Sequence, residues 1–469
     1  MHATDLRYRL ALQRTQAMLT PTAMMCDAVK GALAAELTLL ASHPVDADGL
    51  LCLSIPIEPL DLTVWLAAQP RFPKVYWQGR GSTTAYAGVG AAVVLEGPDL
   101  WDRLDAFGQT HPTAGLFGGL RFDPQRAVGP EWAAFGQGAF FLPTFVVEQD
   151  DRCTRLHCNL VIPPDASEAQ WHARLDEALV DLVLDVPAPG LTPEVEGVAA
   201  EEGEPTRWVE SVAAITGRIA AGELQKVVLA RRKDVTFAAP PDPFRFIRHF
   251  KAMKSPAYYF CFQFDSGSAF VGSSPERLFE RSGRQVRSEA LAGTRTRGAM
   301  PTDDEALKAS LLASPKDRHE HRLVHDHIRA ALAPRCREVV VEELPTVLQL
   351  ILVQHLLTEM AGTLVDGCAD RDLVAALHPT PAVGGLPVDR ALAAIRDHER
   401  FDRGWYAAPL GRVSHDHVDL TVAIRSGLLH GRRLSLYCGA GIVQDSEAES
   451  EWAETEIKFA NFMHVIHAG

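Results

Sequence analysis

Cysteine is sparse in this chain, and none of it has a metal-binding spacing. Eight cysteines are scattered over 469 residues. The one close pair, Cys153 and Cys158, has no second pair beside it, so no zinc-binding pattern is present. Reduced thiols in a cytoplasmic protein are the simplest interpretation of this usage.

Excess positive charge and long apolar runs are also missing. The net charge of −14 argues against a general nucleic-acid or membrane-surface role, although local positive charge or a metal can still attract an anionic substrate. The most apolar stretch, Val347 to Leu357, is interrupted by polar residues and is too short to span a bilayer. No apolar segment near the N-terminus resembles a signal peptide. We therefore expect a cytoplasmic protein that binds neither nucleic acid nor membrane.

What is present is a globular composition, with 47% hydrophobic and 23% charged residues. Predicted strands and helices come in blocks rather than in strict alternation, which favours an α+β fold with much antiparallel pairing. The apolar run within residues 344–360 is predicted to be a buried helix. Residues 185–205 are rich in Pro, Glu and Gly and are the best linker candidate, dividing an N-terminal half (1–195) from a C-terminal region (205–469).

Near the C-terminus, two glycines precede a helix that carries charges on one face. Gly439 and Gly441 allow the backbone to approach a ligand closely, and Glu451, Glu454 and Lys458 share one side of the following helix. This arrangement suggests a site for an anion and a hard cation. The alternative is the solvated face of an ordinary amphipathic helix.

Two further residues have both a chemical and an ordinary interpretation. Lys226 lies in an apolar strand, where its side chain either reaches water from an edge or points into a cavity. Glu276 follows Pro275 at a strand end, where it is either a buried acid with a raised pKa or an ion-pair partner of Arg277.

A second helix carries carboxylates that could bind magnesium. Ser314 and a following proline predict its start, and Asp317 and Glu320 then lie one turn apart. Together with the acids of the last helix they could hold Mg²⁺, which prefers oxygen ligands and keeps several waters. The histidines of this helix do not form a zinc site, because Leu323 occupies the place of the second histidine in an HExxH pattern. A zinc hydrolase is therefore a remote alternative.

Three weaker signals complete the set. His355 is interpreted as a core histidine with a satisfied hydrogen bond on an apolar helix. Arg425 is a charge within a strand, where a carboxylate partner is expected. The segment Leu291 to Thr294 is interpreted as a small turn whose amides could hold a carboxylate, with an ordinary turn as the default.

The order and content of these motifs resemble the chorismate-utilising enzymes, and within them the isochorismate synthases. The resemblance is strong over residues 205–465 and looser before them. It implies a single large α+β domain with two stacked antiparallel sheets flanked by helices. It rests on Lys226, Ser274-Pro275-Glu276, Leu291-Ala292-Gly293-Thr294, Lys316-Asp317-Arg318-His319-Glu320, His378-Pro379-Thr380-Pro381-Ala382, Gly404-Trp405-Tyr406, Arg425, Gly439-Ala440-Gly441 and the Glu451, Glu454, Lys458 helix.

The resemblance also implies a role for each of these residues. Glu320 and Glu454 would bind Mg²⁺, supported through water by Asp317 and Glu451. The metal, Gly293 and Thr294 would face the ring carboxylate of chorismate. Its pyruvyl carboxylate would bind Arg425, Tyr406 and the backbone of Gly439 and Gly441. Substrate contacts from Lys458, His355 and Ala382 complete the implied set.

The implied reaction is the isomerisation of chorismate to isochorismate. Lys226 would activate water to attack C2, and Glu276 would protonate the departing C4 hydroxyl. Related enzymes are the alternatives: a salicylate synthase-type lyase that releases pyruvate, a chorismate-amination synthase, or a silent subunit that needs a partner. Amination is disfavoured because Ala292 stands where aminodeoxychorismate synthases have a nucleophilic lysine. We expect a monomer with no obligatory glutaminase partner.

Overall fold

Strands and helices form separate blocks along the chain, as the sequence predicts. The computed structural model describes residues 24–41, 49–184, 195–198 and 205–467. Its helices are α1 (Met24–Ala41), α2 (Leu62–Ala68), α3 (Leu100–Thr110), α4 (Glu168–Leu179), α5 (Pro205–Ala220), α6 (Pro243–Ala252), α7 (Pro301–Ala313), α8 (Pro315–Leu332), α9 (Asp370–Leu377), α10 (Val388–His398) and α11 (Ala448–His467).

The strands pair in an antiparallel manner throughout the described registers, and with the helices they confirm the α+β class with two large antiparallel sheets. They are β1 (Leu50–Pro56), β2 (Lys74–Gln78), β3 (Ala85–Val89), β4 (Val93–Glu96), β5 (Leu116–Leu120), β6 (Gly138–Leu142), β7 (Phe145–Gln149), β8 (Thr154–Val161), β9 (Val195–Val198), β10 (Lys226–Phe237), β11 (Tyr258–Gln263), β12 (Ser268–Ser274), β13 (Arg277–Ser282), β14 (Gln285–Thr296), β15 (Cys336–Val341), β16 (Thr346–Gln349), β17 (Val353–Leu364), β18 (Gly385–Leu386), β19 (Pro409–Val413), β20 (His417–Val422), β21 (Ser426–His430) and β22 (Arg433–Ile442).

The described residues group into two compact units. The first contains residues 24–41, 49–78, 82–93 and 142–184, and the second contains 79–81, 94–141, 195–198 and 205–467. Residues 1–23, 42–48 and 185–194 of the predicted N-terminal half lie outside the described residues. The predicted linker also lies outside them, except for residue 205 and strand β9. The predicted division into 1–195 and 205–469 stays a prediction.

In the first unit, the strands follow the order β1-β8-β7-β3-β2. The hairpin of β7 and β8 turns at Asp150, whose carboxylate accepts hydrogen bonds from the backbone N–H groups of Arg152 and Cys153. Such an Asx-type turn is a common way for an aspartate to reverse the chain between two strands. Helix α1 packs along β1 and against α4.

The second unit contains two runs of strands, which provide most of the residues of interest. One run has the order β11-β12-β21-β22-β10-β18, with β9 also paired to β10. The other has the order β15-β17-β14-β13-β20-β19-β5-β6-β4, with β16 also paired to β17. Helix α8 packs on β14 and β17, and α11 packs on β22. The two helices that carry the candidate metal ligands therefore each lie on a strand that carries candidate ligand-binding residues.

The predicted helix over residues 344–360 is wrong. The segment forms β16 and the first half of β17, joined at Leu350, whose N–H donates to the carbonyl of Val353. β17 pairs with β14 along one edge and with β15 and β16 along the other. A strand enclosed in this way carries a nearly continuous apolar run, which periodicity alone does not separate from a buried helix.

The predicted turn at Leu291–Thr294 is also wrong. The segment belongs to β14, and the register against β17 shifts between Ala292 and Thr294. Gly293 lies at this bulge with φ of +78°, a left-handed conformation that glycine adopts without steric cost. The bulge explains why small residues cluster there.

The predicted start of α8 is confirmed. Ser314 is its N-cap and accepts a hydrogen bond from the backbone N–H of Asp317, and Pro315 is its first residue. No helix in the described ranges combines the length and the apolar character needed to cross a membrane. The seven cysteines whose side chains are described form no disulfide.

Candidate active site

A cavity in the second unit is lined by strands β10, β14, β17 and β22 and by helices α8 and α11. Most of the residues that the sequence selects come together there, although they are spread over nearly 200 positions of the chain. The selected residues that line it are Glu276, Gly293, Thr294, Glu320, His355, Ala382, Tyr406, Arg425, Gly439, Gly441, Glu454 and Lys458. Their individual roles stay predictions.

Lys226 lies buried beside this cavity. Of the two interpretations of its strand, the side chain therefore does not reach water from an edge. Its side chain has no exposed area, and its Nζ is 2.9 Å from Oε1 of Glu320. Burial acts to raise the pKa of Glu320, but the ammonium groups of Lys226, Lys458 and Lys316 outweigh it and hold this pKa below its usual value. Lys226 therefore neutralises a carboxylate on the cavity wall.

Glu276 is a buried carboxylic acid and not the partner of Arg277. Burial is the main cause that raises its pKa to about 8, and the nearby Glu289 carboxylate raises it further. A hydrogen bond from Thr380 and the charge of Lys226 oppose this shift. The carboxyl group consequently carries its proton at neutral pH. Arg277 forms its ion pairs with other carboxylates, so the alternative of an ion pair with Glu276 is wrong.

Arg425 provides a buried positive charge, and its guanidinium group is hydrogen-bonded to His355. Its Nη2 donates to Nε2 of His355 at 3.2 Å, and Nδ1 of the same ring lies 3.2 Å from the carbonyl of Gly293. Since Nε2 accepts, the proton of the neutral ring is assigned to Nδ1. Burial, Arg425 and Lys458 lower the pKa of His355 to about 3, against the hydrogen bond to Gly293. The histidine is thus satisfied, as predicted, but it lies on a strand.

The backbone at Arg425 is also unusual. Its φ of +51° lies in the left-handed region, which costs a non-glycine residue about 1 kcal/mol or more and is common at ligand sites. The expected carboxylate partner of Arg425 is not found in the part of the chain that the structure describes. The guanidinium instead faces the cavity, where an anionic ligand could accept its remaining hydrogen bonds.

Every candidate metal ligand is paired with a basic side chain. Among the described residues, no three His, Cys, Asp or Glu side chains form a cluster that could hold a metal alone. Glu320 and Glu454 nevertheless face the same cavity, and hard oxygen donors of this kind suit Mg²⁺, which needs few protein ligands. The pairs are Lys226–Glu320 (2.9 Å), Lys458–Glu454 (2.7 Å), Lys316–Glu451 (2.9 Å) and Arg295–Asp317 (2.8 Å).

The two glycines of β22 leave room for these groups. A Cβ at Gly441 would lie 2.6 Å from Oε1 of Glu320 and 2.8 Å from Cε of Lys226, and a Cβ at Gly439 would lie 2.9 Å from Cγ1 of Val228. The carbonyl of Gly439 accepts a hydrogen bond of 2.7 Å from Nζ of Lys458. Residue 441 must therefore be glycine for the buried ion pair to form where it does.

A sequence profile of the family described as "Chorismate binding enzyme" matches residues 38–467. The match spans both units and nearly all of the chain. This chain belongs to the chorismate-binding enzyme family. The predicted resemblance is thereby confirmed at the level of the family.

Individual members of the family agree with this assignment. Isochorismate synthase MenF of Bacillus subtilis is 36% identical over 346 residues, which are 73% of this chain and 72% of the relative. The salicylate biosynthesis isochorismate synthase of Pseudomonas aeruginosa is 34% identical over 471 residues, which cover 96% of each chain. The solved structure of MenF, the menaquinone-specific isochorismate synthase from Escherichia coli, matches with a TM-score of 0.83 at 31% identity and covers 94% of this chain and 100% of that one.

The sequence interpretation missed most of the apolar wall of this chorismate-binding enzyme. A strand period of two places Val228 on the same side as Lys226, so the pattern contained a signal for this residue. The others lie within two positions of selected residues. The lining residues not selected from the sequence are Val228, Val383, Ile424, Tyr437 and Cys438.

Proposed function

We propose that this protein is a magnesium-dependent isochorismate synthase that converts chorismate into isochorismate. The observation that carries the proposal is a fully buried lysine beside a cavity whose lining includes a buried carboxylic acid with a raised pKa. Acid–base catalysis at a hydroxyl requires one group that accepts a proton and one that donates a proton. Lys226 and Glu276 can take these two roles. The names of the relatives described above support the same reaction.

In the proposed mechanism, Lys226 acts as the base and Glu276 as the acid. Lys226, once uncharged, accepts a proton from the water that attacks C2. Glu276 gives its proton to the C4 hydroxyl, which departs as water. One water is consumed and one is released, so the product is an isomer of the substrate. Acid and base with separated proton affinities at one site make this pairing possible at neutral pH.

Positive groups in the cavity account for the binding of a substrate with two carboxylates. We assign the pyruvyl carboxylate to Arg425, Tyr406 and the backbone of Gly439 and Gly441. The ring carboxylate would face Gly293 and Thr294, on the side where Mg²⁺ would be held. Lys458, which pairs with Glu454, would add positive charge near the metal. A site of this kind can bind a dianion although the whole chain carries a net charge of −14, because nearby charges in a dry site outweigh distant screened ones.

Magnesium would be held by Glu320 and Glu454, with Asp317 and Glu451 acting through water. Bound there, it would neutralise and orient the ring carboxylate of the substrate. The protein's own carboxylates supply the hard oxygen ligands that this ion requires.

A product assay tests the proposal. The purified single chain is incubated with chorismate and Mg²⁺, products are separated by chromatography, and pyruvate is followed with lactate dehydrogenase. We expect isochorismate without pyruvate. Pyruvate formed in step with chorismate loss would establish the lyase alternative, and no turnover without an added subunit would establish a silent component. We also propose that the enzyme is monomeric and cytoplasmic, and activity of the single chain would show that it needs no glutaminase.

We expect Glu320→Gln to raise the Mg²⁺ concentration for half-maximal rate by about tenfold or more, because a neutral amide is a poorer ligand for a hard cation. The measurement is a magnesium titration of the initial rate. Glu456→Gln is the matched control, since it makes the same change in α11 at a residue that pairs with Lys233 and does not line the cavity. An unaltered titration for Glu320→Gln would contradict the metal assignment.

We expect Gly441→Ala to lower kcat by about 10- to 100-fold, because its methyl group displaces the Lys226 and Glu320 side chains from their positions. Thermal unfolding should show that the variant still folds. The control is Gly217→Ala in α5, where an added Cβ meets no atom within 4 Å. A wild-type kcat for Gly441→Ala would show that the close approach has no role in turnover.

A further inference from the structure

A buried ion pair lies behind Glu276, and neither the sequence motifs nor the cavity lining includes it. Glu289 of β14 has no exposed side-chain area, and the side chain of Arg80 is 9% exposed. The guanidinium binds the carboxylate through both of its terminal nitrogens, with Nη1 at 2.7 Å from Oε1 and Nη2 on Oε2. Such bidentate pairs fix geometry as well as charge.

This pair holds the backbone on both sides of Glu276. Nη1 of Arg80 also donates to the carbonyl of Pro275, the residue before the acid. Oε1 of Glu289 accepts a hydrogen bond of 3.0 Å from the backbone N–H of Arg277, the residue after it. One guanidinium and its carboxylate therefore fasten the two peptide groups that flank the acid.

The backbone of Glu276 itself is held by uncharged groups. Its N–H donates to Oγ of Ser274 at 3.2 Å, and its carbonyl accepts from Oγ1 of Thr421 at 2.6 Å and from the N–H of Val422 at 3.1 Å. The bonds from Thr421 and Val422 anchor the residue to β20. The Arg80 and Glu289 pair provides the charged contacts to this backbone. If the pair is removed, the hydrogen bonds from uncharged groups remain.

We infer that Arg80 and Glu289 are positioning residues for Glu276, acting together to hold its backbone and to set the charge around its carboxyl group. The inference rests on the proposed function, in which Glu276 is the general acid. Arg80 belongs to a Gly-Arg-Gly segment that no sequence motif marks, 196 positions before the acid. Neither residue lines the substrate cavity, so neither is a catalytic residue.

The two members of the pair act on Glu276 in opposite directions. The groups that face its carboxyl are the Glu289 carboxylate, the hydroxyl of Thr380, the ammonium of Lys226 and the guanidinium of Arg80. Glu289 raises the pKa of Glu276, whereas the other three lower it. Removing one charge of the pair should therefore move the pH limit of activity one way, and removing the other should move it the opposite way.

The test is the pH dependence of kcat for isochorismate formation. In the wild type, kcat should fall above about pH 8 as Glu276 loses its proton, and this fall is the alkaline limb of the pH profile. In Glu289→Gln, repulsion is lost and this limb should move to lower pH by about one unit. In Arg80→Ala, attraction is lost and the limb should move to higher pH, while kcat at its maximum falls about tenfold or more because the turn is no longer held.

A conservative variant separates geometry from charge. Arg80→Lys keeps the positive charge but loses the bidentate fork, so its limb should stay within a few tenths of a unit of the wild type while kcat falls. Arg281→Ala is the matched control, since it breaks a bidentate pair with Asp370 (2.6 and 2.9 Å) of similar burial away from Glu276. It should lower thermal stability without moving the limb.

The outcomes distinguish this inference from the function on which it rests. A wild type that makes no isochorismate refutes the proposed function. An active wild type whose limb stays in place in both Glu289→Gln and Arg80→Ala, or moves the same way in both, overturns the positioning pair alone. Opposite shifts support it, because loss of packing alone gives no opposite signs.

Discussion

Replacing Lys226 with alanine is expected to abolish isomerisation while chorismate still binds. The variant loses the only base assigned to the attacking water, so kcat should fall about 10³-fold or more. Arg425, Lys458 and the backbone amides that we assign to the substrate carboxylates remain, so the dissociation constant should change little. Single-turnover kinetics measure the first quantity, and calorimetric titration with chorismate measures the second.

Two control variants test whether the loss of activity comes from the missing base or only from a missing positive charge. Lys226→Arg keeps a positive charge near Glu320 but cannot act as a base at neutral pH, so it should be as inactive as the alanine variant. Lys233→Ala removes a lysine from the same strand, where Nζ is 2.9 Å from Oε2 of Glu456, and should retain kcat within about threefold. An unchanged kcat in Lys226→Ala would refute the base assignment.

The second large effect is expected from Glu276→Gln. The amide has nearly the same shape and its oxygen can still accept the hydrogen bond from Thr380, which is 3.4 Å from the carboxyl in the wild type. It cannot donate a proton to the C4 hydroxyl, so kcat should fall about 10²- to 10⁴-fold with little change in KM.

The pH dependence of kcat tests whether Glu276 is the acid. The pKa of Glu276 is raised to about 8, so the acid is protonated and active below that pH and inactive above it. The remaining activity of Glu276→Gln should therefore show no fall across this range. Glu280→Gln is the control, because Glu280 is partly exposed on β13 and pairs with Arg277; it should behave as the wild type. A retained alkaline limb in Glu276→Gln would assign that limb to another group.

Several local features could be predicted from the sequence because neighbouring residues determine them. The start of α8 and its Ser314 cap follow from a serine and a proline next to a periodic segment, and the structure confirms them. The segment of β16 and β17 was mistaken for a helix, because pairing on both edges depends on β14 and β15, which are distant in the sequence.

The chemistry of Lys226 and Glu276 could not be predicted from their own segments. For each residue, the strand or turn was compatible with an exposed ion pair and with a buried reactive group. What decides between them is burial, since removal from water is the first cause of the raised pKa of Glu276, and burial is produced by strands and helices from elsewhere in the chain. The hypothesis that Lys226 is a base and Glu276 an acid came from the resemblance to the chorismate-utilising enzymes.

The sequence alone therefore determined the α+β class, the N-terminal cap of α8 and the kinds of side chain available for acid, base, anion and metal binding. These depend on residues a few positions apart, whose interactions persist in almost any fold. Only the tertiary structure decided which side chains share a cavity, that Lys226 pairs with Glu320, and that Arg80 binds the carbonyl of Pro275, 195 positions along the chain. Such contacts depend on long-range packing, and packing also sets the exclusion of water that gives these charges their strength.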